Sequence, residues 1–562
     1  MHVNQKLLWG AFAASSLLLA VSSAASAESG KTVRKAPETA LEDVLVALDA
    51  PTTLPQEGAL PLSGPVQRHR TVAVRTELLA DAAAGGGDVA LEPFPGERYQ
   101  LRAARAEAAW GEGQVYWGRL FDERGAEVGS AAVSVVADAV AASLRLDDRL
   151  LRIEPAGNGA HRVVEIDEFR MPTCGTTHEH ILPPPAPLEA PEQTGGGSSK
   201  AAGFTNLPTV DVLVAYTPQA RAGQGGTNGM NALINLAISE SNNGYNNSDV
   251  NQRYRLVHAY ETVGYTESTS FSTNLNRFRS TTDGYMDEVH GLRNQYGADA
   301  CCLILNGSQY CGVAYGVMGF PSQSWNVNAF QVTARTCATG YYSFSHEFGH
   351  LFGSHHDKAN AGNAYYPYGY GWRTASGQWR TVMAYAPGTR INYFSNPSKT
   401  YGGQSLGLAN QAENYRSLNN NAPVTSQWRC AVPQNYCQAK FTSGLSYPTL
   451  GWVGKPVANG SGNFQVLIQD AEPNKASIVF YGPAAASSPF MGGTLCVGSP
   501  IVRLPMQVTD GSGNATFPFP VTQFDAGDEV YMQGWFRDPA QLDGTGVGLT
   551  DGLLVDVCHY NL

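Results

Sequence analysis

The chain has 562 residues, 43% hydrophobic and 15% charged, with 61 Gly and 32 Pro, which is more than one ordinary core of roughly 100 to 200 residues and predicts about three globular units. No apolar run after the N-terminus reaches about 18 residues, so a polytopic membrane protein is excluded. The net charge is −11, with most of the acidic excess in the first 200 residues, which leaves no basic face for nucleic acid.

Residues 1–27 carry a short n-region with His2 and Lys6, an apolar stretch from Leu7 to Val21, and Ala25-Ser26-Ala27 before Glu28. This is the layout of a secretory signal peptide with a small-residue cleavage site, and it predicts a secreted, extracellular protein with no membrane contact after cleavage. In residues 28–182, runs such as Thr71-Val72-Ala73-Val74 and Arg162-Val163-Val164-Glu165-Ile166 have the period of two that predicts half-buried strands in a small β-rich domain. Pro183-Pro184-Pro185, Pro187 and Pro191 precede Gly195-Gly196-Gly197-Ser198-Ser199, so residues 183–204 read as an exposed linker, stiff first and flexible after. An oxidising compartment lets cysteines pair. Eight of the nine lie after residue 300 and Cys174 stands alone, which makes Cys174 the expected odd thiol.

Residues 205–430 change pattern. A strand over Val210–Tyr216 precedes Met230, Leu233, Ile234, Ala237 and Ile238, which have the spacing of a helix with one buried face. Strands over Arg255–Val263, Cys301–Leu305 and Ala329–Thr333 and a helix over Tyr285–Tyr296 continue the alternation and predict an α/β layer to about residue 335. Residues 431–562 are turn-rich, with short runs such as Phe464-Gln465-Val466-Leu467-Ile468 and Glu529-Val530-Tyr531-Met532, and predict a C-terminal β-sandwich. The expected disulfides are Cys311–Cys337 and Cys496–Cys558, with Cys301 and Cys302 paired to different partners because neighbours on a strand point to opposite faces.

The chemistry is concentrated in Ser345-His346-Glu347-Phe348-Gly349-His350-Leu351-Phe352-Gly353-Ser354-His355-His356-Asp357. On a helix, His346 and His350 project from one face at a separation suited to one tetrahedral Zn2+. Glu347 lies beside them, placed to take a proton from water at the metal. Gly353 adopts positive φ at little cost, so the chain can leave the helix and return His356 as third ligand. A one-residue shift in that turn would exchange His356 for His355. Three protein nitrogens leave a fourth position open, the mark of a catalytic ion.

This pattern resembles the metzincin metallopeptidases, whose motif is matched by His346, Glu347, His350, Gly353 and His356, with Asp357 resembling the reprolysin-like branch. The resemblance covers roughly residues 205 to 430. It implies one catalytic zinc, protein or peptide substrates, and a Met-turn at Thr381-Val382-Met383-Ala384-Tyr385, with Met383 as a hydrophobic floor beneath the metal. Tyr385 stands at the spacing where astacins and serralysins carry a tyrosine able to stabilise an oxyanion. With Cys311-Gly312-Val313-Ala314-Tyr315 and Tyr393-Phe394-Ser395-Asn396-Pro397, the chain is similar to bacterial peptidyl-Asp metalloendopeptidases. That similarity implies cleavage on the amino side of Asp, for which Arg390, seven residues after Met383, is the candidate pocket cation. The strand Asn328–Thr333 resembles the metzincin edge strand that binds extended peptide.

Met171-Pro172-Thr173-Cys174-Gly175 resembles the cysteine-switch segment of metzincin propeptides, with Thr173 where the matrix-metalloproteinase version has Arg. A thiolate at the fourth metal position would displace the reacting water. The expectation is therefore a monomeric, secreted zinc endopeptidase with a signal peptide (1–27), an inhibitory prodomain (28–182), a linker cut on activation (183–204), an α/β metzincin-like catalytic domain (205–430) and a β-sandwich (431–562). Two alternatives are a zinc-binding adhesion or carbohydrate-binding protein, and a zinc hydrolase of a non-peptide substrate.

Overall fold

A computed structural model describes residues 41–47, 64–176, 181–182, 207–317, 323–362 and 364–559. The expected signal peptide, His178 and His180, and the whole of the expected linker lie outside the described residues. Among the described residues no helix is long and apolar enough to cross a membrane.

The N-terminal part is one antiparallel sheet of nine strands: β1 (Leu45–Ala47), β2 (Val66–Val74), β3 (Val89–Phe94), β4 (Glu97–Ala109), β5 (Gly113–Phe121), β6 (Glu127–Val136), β7 (Ala139–Leu146), β8 (Arg149–Gly157) and β9 (Ala160–Ile166). Strands β3 to β9 form a meander, β2 adds beside β9, and β1 adds beside β2. Val44 N donates to Ala90 O and Ala90 N to Glu42 O, both at 2.9 Å, so the first strand returns to β3 and the sheet curls toward closure. Strands β2, β4 and β5 keep the half-exposed pattern expected, and the departure lies in the middle of the sheet. Strand β7 is buried on both faces, because Val140, Leu144, Leu151 and Val163 fill the inside of the curl while Val115, Ala132, Leu150 and Val164 join the core of the following domain.

That domain is a five-stranded sheet containing β10 (Thr209–Tyr216), β11 (Arg253–Glu261), β12 (Ala300–Leu305), β13 (Gly312–Ala314) and β14 (Phe330–Ala334), in the order β11-β10-β12-β14-β13. All pairings are parallel except β13 with β14. The long helix α1 (Thr227–Asn247) packs between this sheet and the N-terminal sheet, and α2 (Ser343–Leu351) follows β14. The expected edge strand is corrected here. Strand β14 is interior because the chain folds back, and the edge belongs to β13.

In the C-terminal region a six-stranded and a three-stranded sheet share one apolar cluster that includes Val466, Phe517, Val530 and Leu553. Arg255 joins this region to the α/β layer, reaching Asp211 at 2.6 Å and Asp556 at 2.5 Å. Cys311–Cys337 pairs as expected. Cys558 instead pairs with Cys430, and Cys496 with Cys437. Cys301 and Cys302 are buried free thiols on β12, so Cys174 is not the only unpaired cysteine.

One buried group makes the N-terminal sheet sensitive to acid. His161 Nε2 accepts Val140 N at 3.0 Å, and burial pulls its pKa down to about 4. The unfolded ring binds a proton near pH 6.5. Between those values the unfolded chain carries more protons, so stability is full above about 6.5 and is lost as the pH falls toward 4. Calorimetry of the full chain should show a melting temperature that drops from pH 7 to pH 5, and less steeply in His161→Gln; identical slopes would assign the acid sensitivity to other groups.

Candidate active site

Helix α2 starts from Tyr342, which lies in the left-handed region at φ 60° and ψ 27°, and it is buried along its whole length. Its i, i+4 spacing puts His346 and His350 on one face. Gly353, at φ +92°, turns the chain so that His356 returns to them. The three Nε2 atoms converge: His346 and His350 at 3.2 Å, His346 and His356 at 3.2 Å, His350 and His356 at 3.0 Å. His346 Nδ1 donates to Val382 O at 2.8 Å and His350 Nδ1 to Ser354 O at 3.1 Å. These bonds fix the tautomer and turn the Nε2 lone pairs inward. Burial, followed by Arg390 at His346 and by the neighbouring imidazoles at the other two, holds His346 and His350 well below the usual histidine range and His356 at about 3, so all three are neutral and ready to ligate. His355 is not part of this cluster; its ring centroid lies 6.4 Å from those of both His350 and Tyr370.

Cys174 completes a four-residue cluster whose possible ligand atoms lie within 4.8 Å of one another. Its Sγ is 3.7 Å from His350 Nε2 and 3.6 Å from Glu347 Oε2. The segment around it lies along β13: Cys311 N donates to Thr173 O at 2.9 Å and Gly175 N to Gly312 O at 2.8 Å. Close approach demands glycine at two points. A Cβ on Gly175 would meet the Tyr310 ring at 2.4 Å, and one on Gly312 would meet Glu347 Cγ at 2.5 Å. Tyr385 Oη donates to Cys174 O at 3.0 Å, and its ring stands 4.1 Å from that of His356.

Glu347 is fully buried. Burial pushes its carboxyl up to about 8, against hydrogen bonds from Cys174 and Thr176. Its Oε2 faces the Cys174 thiol and Thr176, while Oε1 lies toward Gly312 and has no hydrogen-bond partner among the described residues. Thr176 was not legible in the sequence. Its Oγ1 accepts Ala314 N at 2.9 Å and stands 3.2 Å from Glu347 Oε2, a placement that depends on the register with β13. Asp357, the residue after the third histidine, has a structural role that the resemblance did not imply. It accepts Tyr385 N at 3.0 Å and pairs with Arg373 at 2.5 Å, so the strand carrying His356 also positions Tyr385.

Met383 is buried beneath α2. Arg390 is 3% exposed. Its Nη1 donates to Tyr341 O at 3.0 Å, its guanidinium lies 4.3 Å over the Tyr341 ring, and its Nε has no partner. Among the described residues no carboxylate is within ion-pair distance of that guanidinium, yet its charge is felt at His346, Glu347 and His356. Arg380, buried beside the same tyrosine, is bonded to Gly388 O, Ala384 O and Tyr341 Oη. The arrangement offers three converging ring nitrogens, a buried carboxylate beside them, and a buried guanidinium with no carboxylate in ion-pair distance among the described residues.

Residues 207–412 match the family model for reprolysin-like metallopeptidases of family M12B. The chain is 36% identical to a peptidyl-Asp metalloendopeptidase of Stenotrophomonas maltophilia, over 66% of this chain and 90% of that protein. It is 37% identical to a peptidyl-Asp metalloendopeptidase of Xanthomonas campestris, over 58% of this chain and 78% of that one. Among solved structures, metalloproteinase-II from Bacteroides fragilis is matched at 12% identity and a TM-score of 0.30, over 52% of this chain and 86% of that chain.

The contact beneath α2 is testable. A Cβ on Gly349 would lie 2.6 Å from Met383 Sδ, so Gly349→Ala should cost about 1–3 kcal/mol of stability by overpacking and loosen metal retention. Thermal denaturation and metal analysis check it, and wild-type values in both would rule out a tight Met383 contact.

Proposed function

Because the chain belongs to the reprolysin-like metallopeptidases and is a zinc metalloendopeptidase related to the peptidyl-Asp enzymes, we propose that it is an exported enzyme made as an inactive precursor, cutting peptide bonds on the amino side of Asp. In this reading residues 28–182 are the inhibitory prodomain and residues 205–430 the catalytic domain. The observation that carries it is the meeting of Cys174, on the N-terminal segment, with the histidine trio and Glu347. The donor set suits one zinc. Tetrahedral Zn–N bonds of about 2.0–2.1 Å require nitrogen separations of about 3.3 Å, close to those of His346, His350 and His356.

A bound zinc supplies a Lewis acid for the scissile carbonyl and acidifies the attacking water. Glu347 takes that water's proton on Oε2, the oxygen that here faces Cys174 Sγ, and returns it to the leaving nitrogen. Tyr385 Oη, which here donates to the Cys174 carbonyl, donates to a substrate carbonyl lying along the same edge. Strand β13 binds the substrate backbone, as it binds residues 173–175 here. In the precursor, Cys174, with Sγ 3.7 Å from His350 Nε2, would hold the fourth position of a bound zinc, and Thr176 stands against the Glu347 carboxylate. The alternative of a pure binding module does not explain why a fully buried carboxylate stands beside the histidine trio, 3.6 Å from the Cys174 thiol.

Arg390 is the specificity residue of this reading. A buried guanidinium lacking a carboxylate is stabilised by one that a substrate brings, and it repels Lys and Arg.

Glu347→Gln in the activated enzyme should retain metal and lose about 10³-fold or more in kcat; near-normal turnover with full metal content would remove Glu347 as the base. Arg390→Ala should lower kcat/KM for Asp-containing peptides about tenfold or more while sparing peptides with an apolar residue after the cut. Library profiling reads this, and an unchanged profile would assign Arg390 to scaffolding alone.

A further inference from the structure

If the enzyme cuts before Asp, the position of every Asp in its own precursor decides what it can do to that precursor. From position 168 to 210 the sequence contains no Asp. The two that flank this stretch are held in structure. Asp167 N donates to Pro65 O at 2.7 Å and its carboxylate accepts Phe169 N at 3.0 Å. Asp211 is buried on β10 and paired with Arg255. The linker is therefore not a substrate for Asp-directed cleavage.

Cutting the linker would also leave the N-terminal sheet in place, because the sheet is held to the catalytic domain by described residues outside the linker. Val115, Ala132, Leu150 and Val164 share one apolar cluster with Leu233, Ile234 and Ala237 of α1. Trp117 Nε1 donates to Ser239 Oγ at 2.9 Å, Ser239 Oγ to Glu107 Oε2 at 2.8 Å, and Asn235 Nδ2 to Trp110 O at 2.9 Å. Arg145, paired with Glu168, donates to Gly340 O at 2.7 Å, and Glu168 Oε2 accepts Arg390 N at 3.2 Å. Arg152 donates to Thr336 O. These bonds grip the segment leading into α2 and the residue proposed to read the substrate.

The same sheet presents Asp at three successive turns: Asp122 between β5 and β6, Asp138 between β6 and β7, and Asp147 with Asp148 between β7 and β8. The last three are exposed, and exposed turn tips are where proteolytic nicking concentrates.

We propose that maturation takes two cleavages of different specificity. A foreign peptidase cuts the linker and leaves the prodomain docked as a non-covalent inhibitor. Active enzyme molecules then destroy the docked prodomain in trans, hydrolysing the peptide bonds before its turn aspartates. This rests on the Asp-directed reading above, and the experiment separates the two.

Full-length Glu347→Gln precursor is nicked in the linker by a peptidase that cuts after small residues, passed over a size-exclusion column, and then mixed with a catalytic amount of active wild-type enzyme and a reference peptide containing one Asp. The expected results are co-elution of the two fragments, followed by new N-termini at Asp122, Asp138, Asp147 or Asp148. The same nicked precursor carrying Asp122→Asn, Asp138→Asn, Asp147→Asn and Asp148→Asn should lose its prodomain at least tenfold more slowly; Asn suits turns, including the left-handed φ of 45° at Asp147. Separate elution of the fragments overturns the docking. Cleavage before Glu179, Glu189 or Glu192, or a prodomain left intact while the reference peptide is cut before its Asp, overturns the proposed route and leaves the specificity reading standing. A reference peptide cut elsewhere than before Asp overturns the specificity reading and the route with it, and the elution still reports on docking.

Discussion

The centre of this protein depends on keeping three imidazoles adjacent, neutral and dry. Like groups at 3.0–3.2 Å tolerate no charge among them, and burial enforces this by pulling their proton affinities down. Neutrality alone would leave each ring free to choose a tautomer. The carbonyls of Val382 and Ser354 remove that freedom for His346 and His350. The Met-turn therefore contributes through its backbone as well as through the Met383 side chain, and Gly353 serves by letting the chain return without steric cost.

The elements around the histidines follow from the same constraint. Asp357 takes Tyr385 N, so the strand that delivers the third imidazole also sets the phenol beside it. Gly349 lets α2 settle onto Met383, and Gly312 lets the edge strand come against Glu347. Side chains at either position would lift a wall away from the metal. Arg380 and Arg390 both pack on Tyr341 and bring charge into this desolvated volume without a carboxylate of their own. The Arg390 guanidinium is the more incompletely bonded of the two, with Nε left unpartnered.

The N-terminal sheet acts on the site from two directions. Residues 173–176 lie on β13 and reach the histidines from the open side. Arg145, Arg152 and Glu168 hold the segment before α2 and the backbone of Arg390 from behind. These contacts explain why strands in the middle of the sheet, expected to be half-buried, are buried on both faces. A sheet that encloses one core and covers another has no solvent face along β7.

His346, Glu347, His350 and the turn at Gly353 were legible in the sequence because helical periodicity and the permissive φ of glycine are local properties. The alternation of strands and helices was legible for the same reason, as was the Cys311–Cys337 pair. Other features depend on which distant segments meet. The edge strand was misplaced because β13 reverses direction after β12 and covers the outer side of β14. The partners of Cys496 and Cys558 were misassigned because Cys430 and Cys437 flank a short strand, Gln434–Tyr436, that pairs with the last strand of the chain, and Cys301 and Cys302 stay unpaired inside β12. Thr176 met Glu347, and Glu168 met Arg390, only once the N-terminal sheet had packed on α1. By itself the sequence determined the residue types and local spacings that a metal site needs. Tertiary structure decided what faces that site, because contacts between segments more than a hundred residues apart are set by packing and strand register, which no local pattern encodes.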